Sequence, residues 1–297
     1  MIKIGSSEEQ IIKSLNSSIG EILDSAGIYN RVFSRIKSVS SIEKKIKSKK
    51  EEYLKKGKKL QDIFGIRVTL YFSDDEGIAI DLLKSIYEEL PESHSIDPII
   101  NDKFGPIRKN LVFKLKKELV NSSNLFQNEF IDETFEVQFR TIFSEGWHEV
   151  EHDLRYKCKE DWSNENQLSR QLNGLLAVLE TSDWAIHQIF DGLAYKKYKE
   201  RAWNSFFRNV VRIRFSDYSF SPQVLDLFDK DTSIPKNLLK QDRTRLITQL
   251  TKLKTKVPLK MDNVLFIINR TTLNNSELYS FESNILRNIL DESFPNG

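Results

Sequence analysis

Two acidic residues stand beside strand-like runs at places where they could hold a metal ion and assist phosphate transfer. Asp62 comes at the head of the apolar run IFGIRVTLYF, and Glu136 opens a second, alternating run. Successive strand side chains point to opposite faces, so Glu136, Gln138 and Arg140 should share one face. If the two strands are neighbours, Asp62 and Glu136 could hold one Mg²⁺, which prefers oxygen ligands.

A strongly basic segment precedes the first of these acids. Residues 31–59 carry twelve Lys or Arg and three Glu, although the whole chain has a net charge of only +2. A charge run of this kind is ordinarily the solvated face of an amphipathic helix. Its position directly before Asp62 favours a second interpretation, in which it folds over the acid and its metal and binds polyphosphate.

The apolar spacing predicts alternating helices and strands followed by a cluster of strands, and hence an α/β (α+β) fold with a mixed sheet flanked by helices. The predicted helices are 7–26, 39–57, 76–90, 142–158 and 164–200, and the predicted strands are 63–72, 93–100, 109–119 and 132–141. A boundary is predicted between residues 200 and 201. Residues 201–297, with VVRIRF at 210–215, an apolar strand at 263–269 and a closing helix at 275–291, are predicted to form a small α/β regulatory or interaction module.

Four stretches in this order resemble the synthetase domain of the RelA/SpoT alarmone synthetases. They are RIKSVSSIEKKIKSK (35–49), DIFGIRV (62–68), EVQFRT (136–141) and WHEVEHDLRYK (147–157). The resemblance covers roughly residues 30–160 and implies a nucleotidyltransferase-like fold. It also implies a Mg²⁺-dependent pyrophosphokinase that moves the β,γ-pyrophosphate of ATP to the 3′-hydroxyl of GDP or GTP, making (p)ppGpp.

The same resemblance implies roles for individual residues. Asp62 and Glu136 match the two acids that hold Mg²⁺, and Glu136 is also a candidate base for the attacking hydroxyl. The residues expected to bind ATP are Arg35, Lys37, Lys45, Lys49 and Arg67. The residues expected on the acceptor side are Phe104, Arg108, Gln138, Arg140, His152 and Lys157, with Arg155 beside them. Trp147 and Tyr156 are predicted to be packing residues, because large aromatic side chains on such a helix usually fill the core.

The stretch 102–115 departs from the family pattern in the loop that should recognise the acceptor base. Gly105 and Arg108 are present, but the tyrosine that stacks on guanine is absent, and Phe104 is its candidate replacement. An alternative is a toxin-like relative that pyrophosphorylates the 3′ end of tRNA, with extra basic residues following the RNA backbone. Those residues are Arg108, Lys109, Lys114, Lys116 and Lys117, which could equally be a solvated strand face. A second alternative is a non-catalytic nucleotide-binding or regulatory protein.

Residues 148–152 also read HExxH, the pattern in which two histidines one helical turn apart bind zinc in metallopeptidases. That interpretation needs a third ligand, and the later histidine His187 lacks the flanking pattern of such enzymes. The family's WxxxEHxxxYK pattern accounts for the whole segment, so the zinc interpretation is disfavoured.

The composition fits an enzyme with an added module. The 297 residues exceed one typical domain, no apolar run reaches the length of a bilayer span, and the start lacks a signal-peptide apolar region. The single cysteine, Cys158, cannot form an internal disulfide. We therefore expect a soluble cytoplasmic protein without a membrane partner, and the resemblance makes a homo-oligomer plausible.

Overall fold

The computed structural model describes residues 2–57, 59–97, 109–253 and 257–294. Its strands are β1 (Asn30–Ile36), β2 (Phe64–Leu70), β3 (Ser95–Ile96), β4 (Lys109–Lys114) and β5 (Thr134–Thr141). Its helices up to residue 199 are α1 (Ser6–Ser25), α2 (Val39–Lys56), α3 (Asp75–Lys84), α4 (Lys117–Asn121), α5 (Ile142–Val150) and α6 (Asn166–Lys199). The later helices are α7 (Trp203–Val211), α8 (Pro222–Lys230), α9 (Ser233–Leu238), α10 (Arg243–Lys252), α11 (Met261–Ile268), α12 (Ser276–Phe281) and α13 (Asn284–Ser293).

The described strands form one mixed sheet in the order β1-β2-β5-β4-β3. β2 and β5 are parallel neighbours, and the other pairs are antiparallel. The predicted fold, a mixed sheet flanked by helices, is therefore confirmed. The adjacency of β2 and β5, which the metal prediction required as a condition, is present.

One face of the sheet is apolar and fills the core. Phe64, Ile66 and Val68 alternate along β2, Phe135, Val137 and Phe139 alternate along β5, and all six are buried. The rings of Phe113 and Phe135 stack with centroids 5.7 Å apart, and Tyr87 meets Phe135 edge-on at 4.9 Å. Because side chains alternate between faces, burying this set leaves the residues between them on the opposite face.

β1 is a strand that the sequence analysis did not predict. It forms one edge of the sheet, and its side chains are exposed or only half-buried along its length. An edge strand with polar residues on both faces lacks the alternation that identifies a half-buried strand. Asn16 on α1 secures it by donating from Nδ2 to Ser34 Oγ at 3.0 Å and to the Val32 carbonyl at 3.4 Å.

Two helix ends near the site have clear causes. α2 begins after Ser38, whose hydroxyl accepts from the Ser41 amide, and it ends at Lys56, where the next residue, Gly57, has a φ of 63°. That left-handed conformation suits glycine and is common where a helix stops. α5 begins with a reciprocal capping box between Thr141 and Ser144, so helix α5 starts directly where β5 ends.

The predicted helix 76–90 is shorter than expected, because α3 ends at Lys84. The Leu90 amide donates to the Val112 carbonyl, and the Lys114 amide donates to the Glu88 carbonyl. Residues 88–90 therefore run along β4 instead of continuing the helix. The predicted strand 93–100 is represented by the two residues of β3, and its last three residues lie outside the described part of the chain.

The chain divides into two compact units, one of residues 1–21 with 30–182 and the other of residues 22–29 with 183–297. The later division lies inside α6, before the predicted boundary between residues 200 and 201. The second unit has an aromatic core in which Trp203 contacts Phe206 and Phe228. No helix in the described ranges is long and apolar enough to cross a bilayer.

The prediction of an α/β module after residue 201 is wrong for the described residues. Between 202 and 294, apart from the gap at 254–256, the structure has helices and a single isolated bridge between Asp217 and Lys260. The expected strand 263–269 is part of α11 and the turn that follows it, and residues 264–268 are all buried. A short apolar run that is buried on every side gives no periodic signal to separate strand from helix. In the other expected strand-like run, 210–215, α7 ends at Val211 and Arg212 has a φ of 50°.

Candidate active site

The polar face of the sheet gathers most of the residues singled out from the sequence. Two rows of residues, aligned by the strand register, cross β1, β2 and β5 on this face: Phe33, Arg67 and Gln138 in one row, and Arg35, Gly65 and Glu136 in the next. Adjacent strands lie about 4.8 Å apart, so each row spans roughly 10 Å. The expectation that Glu136, Gln138 and Arg140 share one face agrees with their partial exposure, which alternates with the buried Phe135, Val137 and Phe139.

Two cavities open on this face. The larger has a volume of about 480 Å³, and the smaller about 180 Å³. The larger is lined by the predicted site residues Arg35, Lys37, Asp62, Arg67, Glu136, Gln138, His152 and Lys157. The smaller is lined by Lys45, Lys49, Lys59, Asp62 and Glu136 among others. The two acids thus line both cavities, with cations on either side of them.

Asp62 is held by two lysines that approach the same oxygen. Lys37 Nζ and Lys45 Nζ both donate to Asp62 Oδ2, the latter at 2.7 Å. Lys37 follows β1 and Lys45 lies on α2, so the acid joins the strand to the helix. Burial alone would raise the pKa of Asp62, but the two lysines outweigh it and hold that pKa below its usual range. The carboxylate is therefore charged at neutral pH, and its stabilising contribution is lost only as the pH falls through that lowered value.

The acids fit a magnesium ion bound together with phosphate. Asp62 Oδ1 is buried and accepts no hydrogen bond within the described residues, although Oδ2 accepts two. A buried carboxylate oxygen without a hydrogen-bond donor, in a cavity lined by a second acid, is a hard ligand suited to a cation. The described residues contain no group of three or more His, Cys, Asp or Glu able to hold a metal. Mg²⁺ commonly takes one or two carboxylates and completes its shell with substrate phosphates and water, so two acids suffice.

Glu136 is oriented by its neighbour two residues along the strand. Gln138 Nε2 donates to Glu136 Oε1 at 2.9 Å. Both side chains line the larger cavity. One oxygen of Glu136 is therefore fixed by an amide, which leaves the other for a metal ion or a proton.

Arg67 is fixed by two acids of α5. Its guanidinium pairs with Glu145 at 2.8 Å and with Glu149. Burial would lower the pKa of Arg67, but the two carboxylates more than offset this and raise it. Glu149 itself lines the larger cavity and was not anticipated from the sequence. The sequence signal for it is its place as the glutamate of the HExxH pattern, which was considered only for a zinc site.

Arg140 lies further along β5 and lines neither cavity. It donates to the Phe139 carbonyl at 3.1 Å, and burial together with the charge of Arg67 lowers its pKa. The same two arginines act on His148 of α5. Burial, followed by Arg140 and Arg67, lowers the pKa of His148 to about 3, so this histidine is neutral at neutral pH.

The depressed pKa of His148 predicts a loss of stability in mild acid. The unfolded chain binds this proton near the ordinary histidine pKa, whereas the folded chain resists it down to about 3. Stability should therefore fall as the pH drops from about 6.5 towards 3, by an amount on the order of a few kcal/mol from this group. Urea unfolding of the wild type and of His148→Gln at pH 7, 6, 5 and 4 checks it.

We expect the difference in unfolding free energy between the two proteins to change steadily with pH over this range. Acidic groups that titrate in both proteins cancel in that difference. Parallel pH profiles would contradict the assignment to His148.

The helical segment that follows α5 has a different pitch, and residues at this segment line the larger cavity. Residues Glu151–Tyr156 form a π-helical turn, and the Lys157 amide donates to the His152 carbonyl at 3.1 Å. Bonding between residues five apart brings their side chains to the same side, which an α-helix does not do. His152 and Lys157 accordingly both line the larger cavity, and both contact Asp153.

The other residues of this segment divide between the core and the surface. Trp147 is 5% exposed and donates to the Leu172 carbonyl at 2.7 Å, which confirms its predicted packing role. The same prediction for Tyr156 is wrong: it is 56% exposed, and its ring stacks on His152. The pitch change explains this, because it turns Tyr156 away from the apolar side. Arg155 packs over the Trp147 ring and donates to Asn173 of α6 at 2.8 Å, so it does not line the cavities.

The predicted acceptor loop lies largely outside the described residues. Phe104 and Arg108 fall within 98–108, so their predicted roles stay predictions. Of the basic residues proposed to follow RNA, Lys109 pairs with Glu76, Lys114 pairs with Glu88 at 2.5 Å, and Lys116 lies over the Tyr87 ring. Three of these five cations are therefore engaged by neighbours in the same unit. As for the HExxH pattern, the absence of a three-ligand cluster among the described residues gives the zinc interpretation no support.

The residues just described belong to a known class of domain. Residues 34–161 match the family model described as a region found in RelA / SpoT proteins. Residues 34–161 are therefore a RelA/SpoT-type region, as the resemblance implied. That match contains the described site residues from Arg35 to Lys157, whereas Phe33 lies immediately before it.

Solved structures of small alarmone synthetases are similar to this chain at low identity. Small alarmone synthetase 1 from Bacillus subtilis is 22% identical with a TM-score of 0.47, over 62% of this chain and 92% of that one. Its structure bound to its product pppGpp gives 21% and 0.47, over 61% and 91%. Small alarmone synthetase 2 from the same organism gives 19% and 0.45, over 62% and 94%. No curated protein matches the chain.

Proposed function

We propose that this chain is an ATP-dependent pyrophosphokinase that transfers the β,γ-pyrophosphate of ATP to the 3′-hydroxyl of GDP or GTP. The RelA/SpoT-type region supports a transferase of this kind. The observation that carries the proposal is the cavity in which two acids, on or just before parallel neighbouring strands, face cations from β1 and the segment after it. Positioning and charge stabilisation are what phosphoryl transfer chiefly requires of a protein.

In this reaction the acceptor's 3′-oxygen forms a bond to the β-phosphorus of ATP. The bond from that phosphorus to the oxygen bridging the α- and β-phosphates breaks, and AMP leaves with the electron pair. Lys37 and Arg35 line the larger cavity and are proposed to hold the triphosphate, while Lys45 and Lys49 line the smaller cavity beside the two acids. The charge that grows on the leaving oxygen is thereby met by fixed cations.

Glu136 is the candidate base for the acceptor hydroxyl. Gln138 fixes one of its oxygens, and the other can accept the hydroxyl proton as the new bond forms. Asp62 and Glu136 would hold Mg²⁺, which supplies neutralisation of the phosphate charge when bound. His152 and Lys157 face the same cavity from the π-helical turn and are proposed to contact the acceptor's phosphates.

We favour GDP or GTP over tRNA as the proposed acceptor. A tRNA acceptor would need a run of available cations beside the site, and Lys109, Lys114 and Lys116 are engaged by Glu76, Glu88 and Tyr87. A purely regulatory nucleotide-binding protein would have no need of an acid whose oxygen is buried without a partner in the described residues. Both alternatives are outcomes of the experiment below.

The test follows labelled phosphate from ATP. Purified full-length protein is incubated with Mg²⁺ and γ-labelled ATP, and GDP, GTP or deacylated tRNA is added in separate reactions. We expect label on GDP or GTP, with AMP released in equal amount. Label on tRNA alone would replace the proposed acceptor, and transfer to none of the three would contradict the proposed activity.

A further inference from the structure

Phe33 is a large apolar side chain in the wall of a cavity lined mostly by polar and charged residues. It lies on β1, is 49% exposed and lines the larger cavity. A scattered exposed apolar residue needs no explanation, but an aromatic ring in the wall of a charged cavity does. Such a ring offers a π-face that a planar, partly apolar ligand group can cover.

β1 carries this ring in line with the phosphate-binding cations. Alternation along the strand puts Phe33, Arg35 and Lys37 on one side, and the contact of Lys37 with Asp62 confirms that side. The order along β1 and the residue that follows it is therefore ring, guanidinium and ammonium, and the ammonium contacts the Asp62 carboxylate. The four residue steps from Phe33 to Lys37 cover roughly 13 Å. That length suits an extended nucleoside triphosphate, from its base to its terminal phosphates.

The surroundings of the ring suit a flat group. Arg67 lies opposite Phe33 on β2, and its guanidinium is held in place by Glu145 and Glu149. Gly65, in the next row, has no side chain, and an added Cβ there would meet Arg35 Cγ at 3.6 Å. A ring and planar guanidinium groups beside an open floor form the kind of platform on which nucleobases stack.

We propose that Phe33 is the stacking platform for the base of the donor nucleotide in the larger cavity. The proposal rests on the proposed function and specifies which side of the sheet receives the donor. The acceptor is expected across β5, because the predicted acceptor loop leads into β4. Phe33 stands one residue before the RelA/SpoT match, so this platform is supplied by the chain outside that region.

The experiment compares a ligand with a base and one without. The non-hydrolysable analogue AMPCPP and inorganic tripolyphosphate are each titrated with Mg²⁺ into full-length wild type, Phe33→Leu and Phe33→Trp, and binding heat is measured. Leucine keeps an apolar side chain on the strand but removes the ring. We expect Phe33→Leu to weaken AMPCPP binding roughly 5- to 100-fold and to leave tripolyphosphate binding unchanged. Phe33→Trp should bind AMPCPP at least as tightly as the wild type.

Tyr218→Leu is the matched control, because Tyr218 is 47% exposed and lines neither cavity. It should change neither titration. Equal weakening of both ligands by Phe33→Leu would overturn the platform, since it would indicate a distorted strand. Unchanged AMPCPP binding by Phe33→Leu would also overturn the stacking platform. In either case, label transfer from ATP to GDP or GTP by the wild type would still support the proposed function. A wild type that binds neither ligand and transfers no label would instead overturn the proposed function itself.

Discussion

Replacement of Glu136 by glutamine should strongly reduce AMP release while leaving nucleotide binding largely intact. The amide keeps the size of the side chain and its contact with Gln138, but it can neither accept the hydroxyl proton nor hold a cation by charge. We expect single-turnover AMP release to fall by about 10³-fold, within the range typical of lost acid–base groups. Affinity for AMPCPP should change no more than a few-fold.

Glu133→Gln provides the matched control for that variant. Glu133 precedes β5, is exposed and lines neither cavity, so the same chemical change there should leave AMP release unaffected. AMP release by Glu136→Gln at the wild-type rate would show that the base and metal roles have been placed on the wrong residue.

Asp62→Asn should lower turnover to a similar extent, but it should tighten the binding of polyphosphate in the absence of Mg²⁺. Removing the carboxylate removes a metal ligand, and single-turnover AMP release should drop by about 10²- to 10³-fold. It also frees Lys37 and Lys45 from their shared partner. Binding of tripolyphosphate without Mg²⁺ should therefore become several-fold tighter, because two cations no longer share an acid with the ligand.

Calorimetric titration of tripolyphosphate in the presence of a chelator measures that second effect. Asp81→Asn is the control, since Asp81 is an exposed residue of α3 away from both cavities. Weaker tripolyphosphate binding by Asp62→Asn would contradict the idea that the acid competes with phosphate for the lysines. A thermal melt of the variant distinguishes this from partial unfolding.

Much of the sheet could be predicted because burial leaves a periodic trace. β2 and β5 are lined by buried residues on one face, and their alternation revealed both strands and the polar face that carries Glu136 and Gln138. The parallel pairing that brings Asp62 to the same cavity as Glu136 was a condition of the metal prediction, and the register meets it. The resemblance to the family motifs then indicated which polar residues on that face belong to the predicted site.

The remaining features depend on contacts that no short pattern encodes. β1 lacks a buried face, so its ring at Phe33 was hidden within a segment defined only by its charge. The π-helical turn that aligns His152 with Lys157 is a small change of hydrogen-bond partner among residues equally suited to an α-helix. The pairing of Arg67 with Glu145 and Glu149 joins positions about 80 residues apart. Residues 264–268 of α11 are all buried, so no polar face in the sequence indicates a helical period there.

The paired lysines on Asp62 also determine how the free site meets an approaching anion. A bare carboxylate beside Glu136 would repel a polyphosphate before any contact formed. With Lys37 and Lys45 bound to it, the acid and its partners together carry a net positive charge. Attraction of this kind accelerates diffusional encounter and weakens as salt screens it. The association rate of a triphosphate with this protein should consequently decrease as ionic strength increases, while the transfer step, which occurs after docking, should respond far less.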